Sequence, residues 1–207
     1  MDSLLRFLAF AIPAVFAITV HEVAHGWVAS RLGDPTAARA GRLSLNPLRH
    51  IDPVGTVLVP ALIYLTSGGF FGWARPVPVD WRYLRRPRFD MGLVAAAGPL
   101  SNLLMLIAWL ILMLRTPTGT LLSEMSWTGI SFNATIMVLN LLPLPPLDGS
   151  RIVAALLPAR LAAPYARIEP YGLLILAGLL MSGFLGRILG PLVRGVVTGL
   201  ATLLASS

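Results

Sequence analysis

The sequence contains no cysteine and no lysine, and only 12% of its 207 residues are charged. Without cysteine the chain has no disulfide, no thiolate ligand for zinc and no cysteine nucleophile, so any metal must bind through nitrogen and oxygen atoms. All 16 basic residues are arginines, and they outnumber the nine acidic residues. Because no aromatic-and-basic recognition module accompanies these arginines, we expect no nucleic-acid partner and assign the positive charge to loops that face anionic lipid.

Hydrophobic side chains are abundant: they make up 56% of the chain, and its mean hydropathy is +0.78. This composition excludes an ordinary soluble globular domain. It predicts a membrane protein. From the segments described below we expect an all-α polytopic fold with about 4–5 transmembrane helices, a re-entrant hairpin and short edge strands near the cytoplasmic face. The apolar N-terminus has no small-residue cleavage site followed by polar sequence, so we expect a retained span and not a removable signal peptide.

Four apolar runs are long enough to cross a bilayer, which takes about 20 helical residues. They lie over Ser3–Leu32, Met91–Leu114, Met125–Leu142 and Tyr171–Leu189. The apolar tail Pro191–Leu204 is short, and its status as a span stays open. We expect a single membrane-embedded domain over residues 1–207, with a catalytic core at 3–158, hydrophobic C-terminal helices at 165–205 and no room for an additional regulatory domain.

The apolar segment Val54–Thr66 is too short to be a clear span, and arginines lie on both sides of it. Because positively charged loops favour the cytoplasm, we expect a re-entrant hairpin there. If both arginine-rich flanks are cytoplasmic, the N-terminus lies on the outer side of the cell membrane, which the chain crosses several times. The following stretch ARPVPVD suits an edge strand, which is either inert packing or a surface that pairs with an extended peptide.

Two histidines and a glutamate interrupt the first apolar run in the stretch VHEVAHG. His21 and His25 are four residues apart, so their rings lie on one face of a helix and can bind the same ion. Glu22 lies beside them, in the H-E-x-x-H arrangement in which two histidines bind zinc and the glutamate is the general base. Ionisable groups are costly inside a bilayer and are functional by default, which favours a metal site over a buried polar patch.

A catalytic zinc ion needs a third protein ligand. Asp34, Asp80 and Asp90 flank arginine-bearing loops, and we expect them to be solvated. His50 is predicted to be a loop histidine. Asp148 follows prolines that break a helix at the depth and on the side of the histidines, although the same PLDG stretch is also typical of a surface turn.

The pair of stretches HEVAH and NLLPLPPLDG resembles the two signatures of the site-2 protease family of intramembrane zinc metalloproteases, H-E-x-x-H and N-x-x-P-x-x-x-L-D-G. The resemblance implies His21, His25 and Asp148 as ligands of one Zn²⁺ ion, Glu22 as the catalytic base and Asn140 as a polar active-site residue. GRLSLNPLRHIDPVGT, FGWARPVPVD and AAAGPLSNLL are similar to the compact bacterial branch of the family, which lacks a PDZ or regulatory domain.

The sequence therefore predicts a zinc-dependent endopeptidase that cuts transmembrane protein substrates in an extended conformation, with its site towards the cytoplasmic side. A membrane zinc protease that uses Glu169 as third ligand is a weaker alternative. A divalent-metal transporter or a non-proteolytic binder of membrane segments could use the same His/His/Asp site, but a transporter has no need of Glu22. Within AAAGPLSN, small residues favour a close helix contact, and Asn102 is either part of that contact or a buried hydrogen-bonding residue.

Overall fold

A computed structural model of the chain describes residues 3–59, 62, 65 and 75–206. Helices dominate this part, and no strand occurs in it. The α-helices are α1 (Ser3–Arg31), α2 (Thr36–Arg39), α3 (Pro87–Arg115), α4 (Leu121–Asn140), α5 (Asp148–Leu156), α6 (Ala159–Ala166), α7 (Glu169–Met181) and α8 (Phe184–Ala205). Short helical turns at Pro47–His50, Pro53–Leu58 and Trp81–Tyr83 lie between α2 and α3.

Three helices are long and apolar enough to cross a membrane, namely α1, α3 and α8. The expected spans at Ser3–Leu32 and Met91–Leu114 are thus confirmed as helices. The apolar tail Pro191–Leu204, for which no assignment was made from the sequence, belongs to α8. The expected span Tyr171–Leu189 is interrupted instead, because Gly183 adopts the left-handed conformation with φ = 70° and separates α7 from α8. Glycine adopts this conformation at no steric cost, so it ends the helix within an apolar run.

The α4 helix covers most of the expected span Met125–Leu142 but is not among these three. It packs against α1, α3 and α8, so it belongs to the interior of the bundle. Its buried face carries polar side chains, including Ser126 and Asn133, which are wholly buried. The outer faces of α1 and α3 instead expose large apolar side chains such as Phe7 and Leu104. Polar groups inside and apolar groups outside are the arrangement that a lipid environment requires.

The end of α1 and the start of α3 lie together. The Arg85 N–H donates to the Leu32 carbonyl oxygen at 3.3 Å, and Ala29, Leu84 and Val94 form a small buried cluster. Two long helices joined in this way run antiparallel, so the α1 histidines face the first half of α3.

The expected edge strand is not confirmed. Residues 75–80 are described and run without helix or ladder partner. They are held by single hydrogen bonds: the Arg75 N–H donates to the His50 carbonyl oxygen at 2.9 Å, and the Asp80 N–H donates to Asp34 Oδ2 at 2.7 Å. Of the expected hairpin Val54–Thr66, the structure describes a helical start, and residues 60, 61, 63, 64 and 66 lie outside the described part.

Two acidic residues that we expected to be solvated are wholly buried, namely Asp34 and Asp90. Asp34 accepts hydrogen bonds from the Thr36 N–H and hydroxyl as well as from the Asp80 N–H. Asp90 accepts from the Arg86 N–H at 2.8 Å. The solvation prediction was wrong for these two because each carboxylate ties down backbone N–H groups at a helix end.

Candidate metal centre

The α1 helix places His21 and His25 on one face, as their spacing predicts. Both rings are buried, with 5% and 9% of their residue surface exposed. The two Nε2 atoms are 3.0 Å apart, and the ring planes are nearly perpendicular, at 86°.

Asp148 comes to the histidines from the start of α5. The α4 helix ends at Asn140, the proline-rich residues turn the chain, and α5 begins at Asp148 itself. Gly149 allows this approach, because a β-carbon there would collide with the Leu141 carbonyl group. Asp148 Oδ2 lies 3.2 Å from His21 Nε2 and 3.3 Å from His25 Nε2.

These three atoms form a triangle with sides of 3.0, 3.2 and 3.3 Å. Ligand atoms about 2.0–2.1 Å from a tetrahedral zinc ion are separated by about 3.3–3.4 Å. The triangle therefore has the size of one face of a tetrahedral zinc site. Asp148 Oδ2 is also buried without a hydrogen-bond donor, an arrangement that is costly unless a cation or proton satisfies it.

The hydrogen bonds on the far side of each ring determine which nitrogen carries hydrogen. Asn102 Nδ2 donates to the Ala17 carbonyl oxygen at 3.2 Å, so Asn102 Oδ1 is the atom that faces His21 Nδ1, at 2.6 Å. His25 Nδ1 faces the Val94 carbonyl oxygen at 2.7 Å. Both partners accept hydrogen bonds only, so each Nδ1 donates and each neutral ring presents an unprotonated Nε2.

Three acceptors therefore converge: the two Nε2 lone pairs and one carboxylate oxygen. Such a set suits a divalent cation, and nitrogen with carboxylate oxygen is a ligand set that zinc uses. Among the described residues, His21, His25 and Asp148 are the group of three whose ligand atoms lie close enough to hold a metal ion.

One face of α3 supports the histidines through residues spaced four apart. Val94 supplies its carbonyl oxygen, Gly98 leaves space that a β-carbon would take from both rings, and Asn102 bonds to His21. Asn102 is wholly buried and also donates to Asn133 Oδ1 at 2.9 Å. Both interpretations of AAAGPLSN thus hold at different positions: Gly98 provides the close contact and Asn102 the hydrogen bond.

Glu22 is held beside the histidines by the extended segment. Its Oε2 accepts a hydrogen bond from the Val77 N–H at 2.8 Å. Arg42, which is buried, donates to the Arg75 carbonyl oxygen of the same segment at 2.7 Å. Burial and the charge of Arg75 lower the pKa of Arg42, whereas the negative charge of Glu22 opposes this effect.

Three further residues considered from the sequence lie apart from this group. The Asn140 side-chain amide donates to the Ile136 carbonyl oxygen of its own helix at 3.1 Å. His50 is buried at the end of the short helical turn Pro47–His50, and its Nε2 lies 2.8 Å from the Ser44 carbonyl oxygen. Glu169 is exposed at the start of α7.

Asn133 and Val77 were missed by the sequence reasoning. Asn133 has a recognisable signal, because an amide inside an apolar helix needs a buried partner. Val77 has none, since its contribution is a backbone N–H that any residue except proline offers.

Comparison with known proteins adds independent information. YwhC of Bacillus subtilis is 38% identical over 93% of this chain and 88% of its own length. Rip2 of Mycolicibacterium smegmatis is 33% identical over 84% of this chain and 66% of its own length, and MJ0611 of Methanocaldococcus jannaschii is 28% identical over 73% and 72%. The names of all three provisionally describe them as zinc metalloproteases.

No solved structure matches the chain. The family model described as Peptidase family M50 matches residues 115–183, a region that includes Asp148. Together with the similarity to YwhC over nearly its whole length, this match confirms the resemblance drawn from the two signatures: the chain belongs to peptidase family M50.

Proposed function

We propose that this protein is a zinc-dependent intramembrane endopeptidase, which hydrolyses peptide bonds in or near the transmembrane segments of other membrane proteins. The observation that supports this most strongly is the meeting of three buried acceptor atoms, from His21, His25 and Asp148, within an apolar helix bundle. Membership of peptidase family M50 and the names of the relatives point to the same chemistry.

His21, His25 and Asp148 would hold the ion, which leaves a fourth position for water or substrate. Zinc bound there supplies Lewis acidity, which lowers the pKa of water to about 7 and polarises a carbonyl group. The buried position of the three ligands keeps bulk water away and strengthens these electrostatic effects.

Glu22 is our candidate for the general base. It neighbours His21 in sequence, and the hydrogen bond from the Val77 N–H holds one of its carboxylate oxygens. The other oxygen can take a proton from the attacking water and later pass it to the leaving amine nitrogen. Asn140 is a candidate donor to the oxyanion, for which its amide must first leave the Ile136 carbonyl oxygen.

The substrate segment must be extended, because the peptide bonds of a helix are shielded by their own hydrogen bonds. Residues 75–80 run alongside the candidate base without helix and without a strand partner in the described part of the chain. This segment is our candidate for the surface that pairs with an unwound segment of a membrane protein. The N–H groups of Arg75, Val77 and Asp80 are already bonded, so a substrate would pair through the carbonyl oxygens that remain.

We further infer that residues 1–207 act as one catalytic unit in a multi-pass arrangement, with α4 crossing the bilayer among α1, α3 and α8. Most arginines lie at the end of the bundle where α1 ends and α3 begins. Because positively charged loops favour the cytoplasm, this end and the nearby metal centre would face the cytoplasmic side.

Replacement of Glu22 by glutamine separates the base from the ligands. Glu22→Gln keeps the shape and an acceptor for the Val77 N–H but removes proton transfer. We expect cleavage of a model transmembrane substrate to fall by about 10²–10⁴-fold, while zinc content stays at that of the unaltered protein. Elemental analysis and a cleavage assay on the same preparation test this, with the exposed acid Glu124→Gln as matched control. Retained cleavage, or loss of zinc, would refute the assigned role.

Replacement of Asp148 by asparagine tests the third ligand. A neutral amide is a far weaker ligand than a carboxylate, so we expect Asp148→Asn to lower zinc affinity by more than about 100-fold, the upper range for residues that only support a ligand. Asp34→Asn is the matched control: it alters another buried acid, and it should keep zinc even if it loses stability. Chelator competition measures the zinc affinity of both variants. A fully metallated and active Asp148→Asn protein would return the third position to Glu169 or His50.

The hydrogen bond from His21 to Asn102 predicts a measurable effect on metal binding. Asn102→Leu leaves His21 Nδ1 without its acceptor, and we expect about 10–100-fold weaker zinc binding, as is typical for residues that orient a metal ligand. Ser126→Ala removes another buried polar group from the bundle and serves as control. If the two variants bind zinc equally well, Asn102 only packs the helices.

A further inference from the structure

A cavity of about 560 Å³ lies at the arginine-rich end of the bundle, away from the metal centre. Residues 86–89, at the start of α3, form one wall, and residues 155–158, from the end of α5 to the start of α6, form the other. The cavity is open to the surroundings, and nothing in the proposed proteolytic reaction uses it.

Two arginines give this cavity its charge. Arg88 is fixed through Nε, which donates to the Ala154 carbonyl oxygen at 3.2 Å. Arg86 lies over the Phe89 ring, at 4.8 Å from its centroid, and its Nε is 3.6 Å from Asp90 Oδ1. In the described part of the chain, no hydrogen bond engages the terminal Nη atoms of either guanidinium group. Planar Nη donors of this kind bind phosphate oxygens through paired hydrogen bonds.

One acidic side chain offsets part of this charge. The wholly buried Asp90 accepts the Arg86 N–H through Oδ2, and its Oδ1 forms an ion pair with Arg86 Nε, whereas no ion pair engages Arg88 in the described part of the chain. Arg85 adds a further exposed positive charge next to the cavity, and Arg160 lies in the first turn of α6. The helices α3 and α6 begin at this cavity and α5 ends there, so the positive ends of two helix dipoles are offset in part by the negative end of a third.

Exposed aromatic and apolar side chains place the cavity at the membrane surface. Phe89 is 50% exposed and Leu156 is 77% exposed on its two walls. Trp81 and Tyr83, just before α3, are also more than half exposed. Aromatic side chains at the end of a membrane-spanning helix are typical of the level of the lipid headgroups. A cavity that is positive at its centre and apolar at its rim suits a lipid better than a soluble anion.

We propose that this cavity binds the headgroup of an anionic phospholipid. The Nη atoms of Arg86 and Arg88 donate to the phosphate oxygens, and the exposed Phe89 and Leu156 side chains contact the glycerol and the first acyl carbons. Net positive charge carried by arginine alone is consistent with such a site, because arginine matches phosphate geometry better than lysine does.

The test compares lipid retention in the full-length protein. Unaltered protein and the double variant Arg86→Gln/Arg88→Gln are reconstituted into nanodiscs of phosphatidylglycerol and phosphatidylcholine in equal amounts, extracted into detergent and weighed by native mass spectrometry. We expect the unaltered protein to retain phosphatidylglycerol about 10- to 30-fold over phosphatidylcholine, and the double variant to lose this preference.

The control Arg6→Gln/Arg115→Gln removes the same charge at the start of α1 and the end of α3, and its preference should be unchanged. Equal lipid retention by both double variants would overturn the proposal. Displacement of phosphatidylglycerol by millimolar inorganic phosphate would overturn the lipid assignment in favour of a soluble anion. Zinc content, which should be equal in all three proteins, shows that each is folded, so a failure here is distinct from a failure of the proposed protease function.

Discussion

The structure depends on one constraint: two imidazole nitrogens and a carboxylate oxygen, all acceptors, lie within 3.3 Å of one another inside an apolar bundle. In the absence of a cation these groups repel each other, and burial increases the cost. The rest of the bundle holds them in place. Asn102 and Val94 orient the rings from α3, Gly98 admits them, and Gly149 brings α5 against the end of α4.

Much of this centre can be predicted from the sequence because its signals are local. The four-residue spacing of His21 and His25 fixes their common helix face, and the Asp-Gly pair after prolines marks the break at which α5 begins. Hydrogen bonds between residues that are far apart in the sequence cannot be predicted in this way. Asn102 donates to Asn133 across 31 residues, and the Asp80 N–H donates to Asp34 across 46. Sequence alone does not show that the Asp34 carboxylate has this partner and is buried.

Helix boundaries show the same limit. Hydropathy alone does not separate α7 from α8, because the chain is apolar on both sides of Gly183. The backbone conformation at that glycine reveals the break. In α4 the opposite holds. Buried polar side chains lower its hydropathy, so α4 is not among the candidate spans although it packs against α1, α3 and α8.

The central claim, that the three acceptors bind one zinc ion, is tested most directly by X-ray absorption at the zinc edge of the purified protein. The account predicts two imidazole nitrogens and a carboxylate oxygen at about 2.0–2.1 Å, with one further light atom in a four-coordinate shell. A shell of oxygen atoms without imidazole scattering, or a shell with three imidazoles that would require His50, would contradict it.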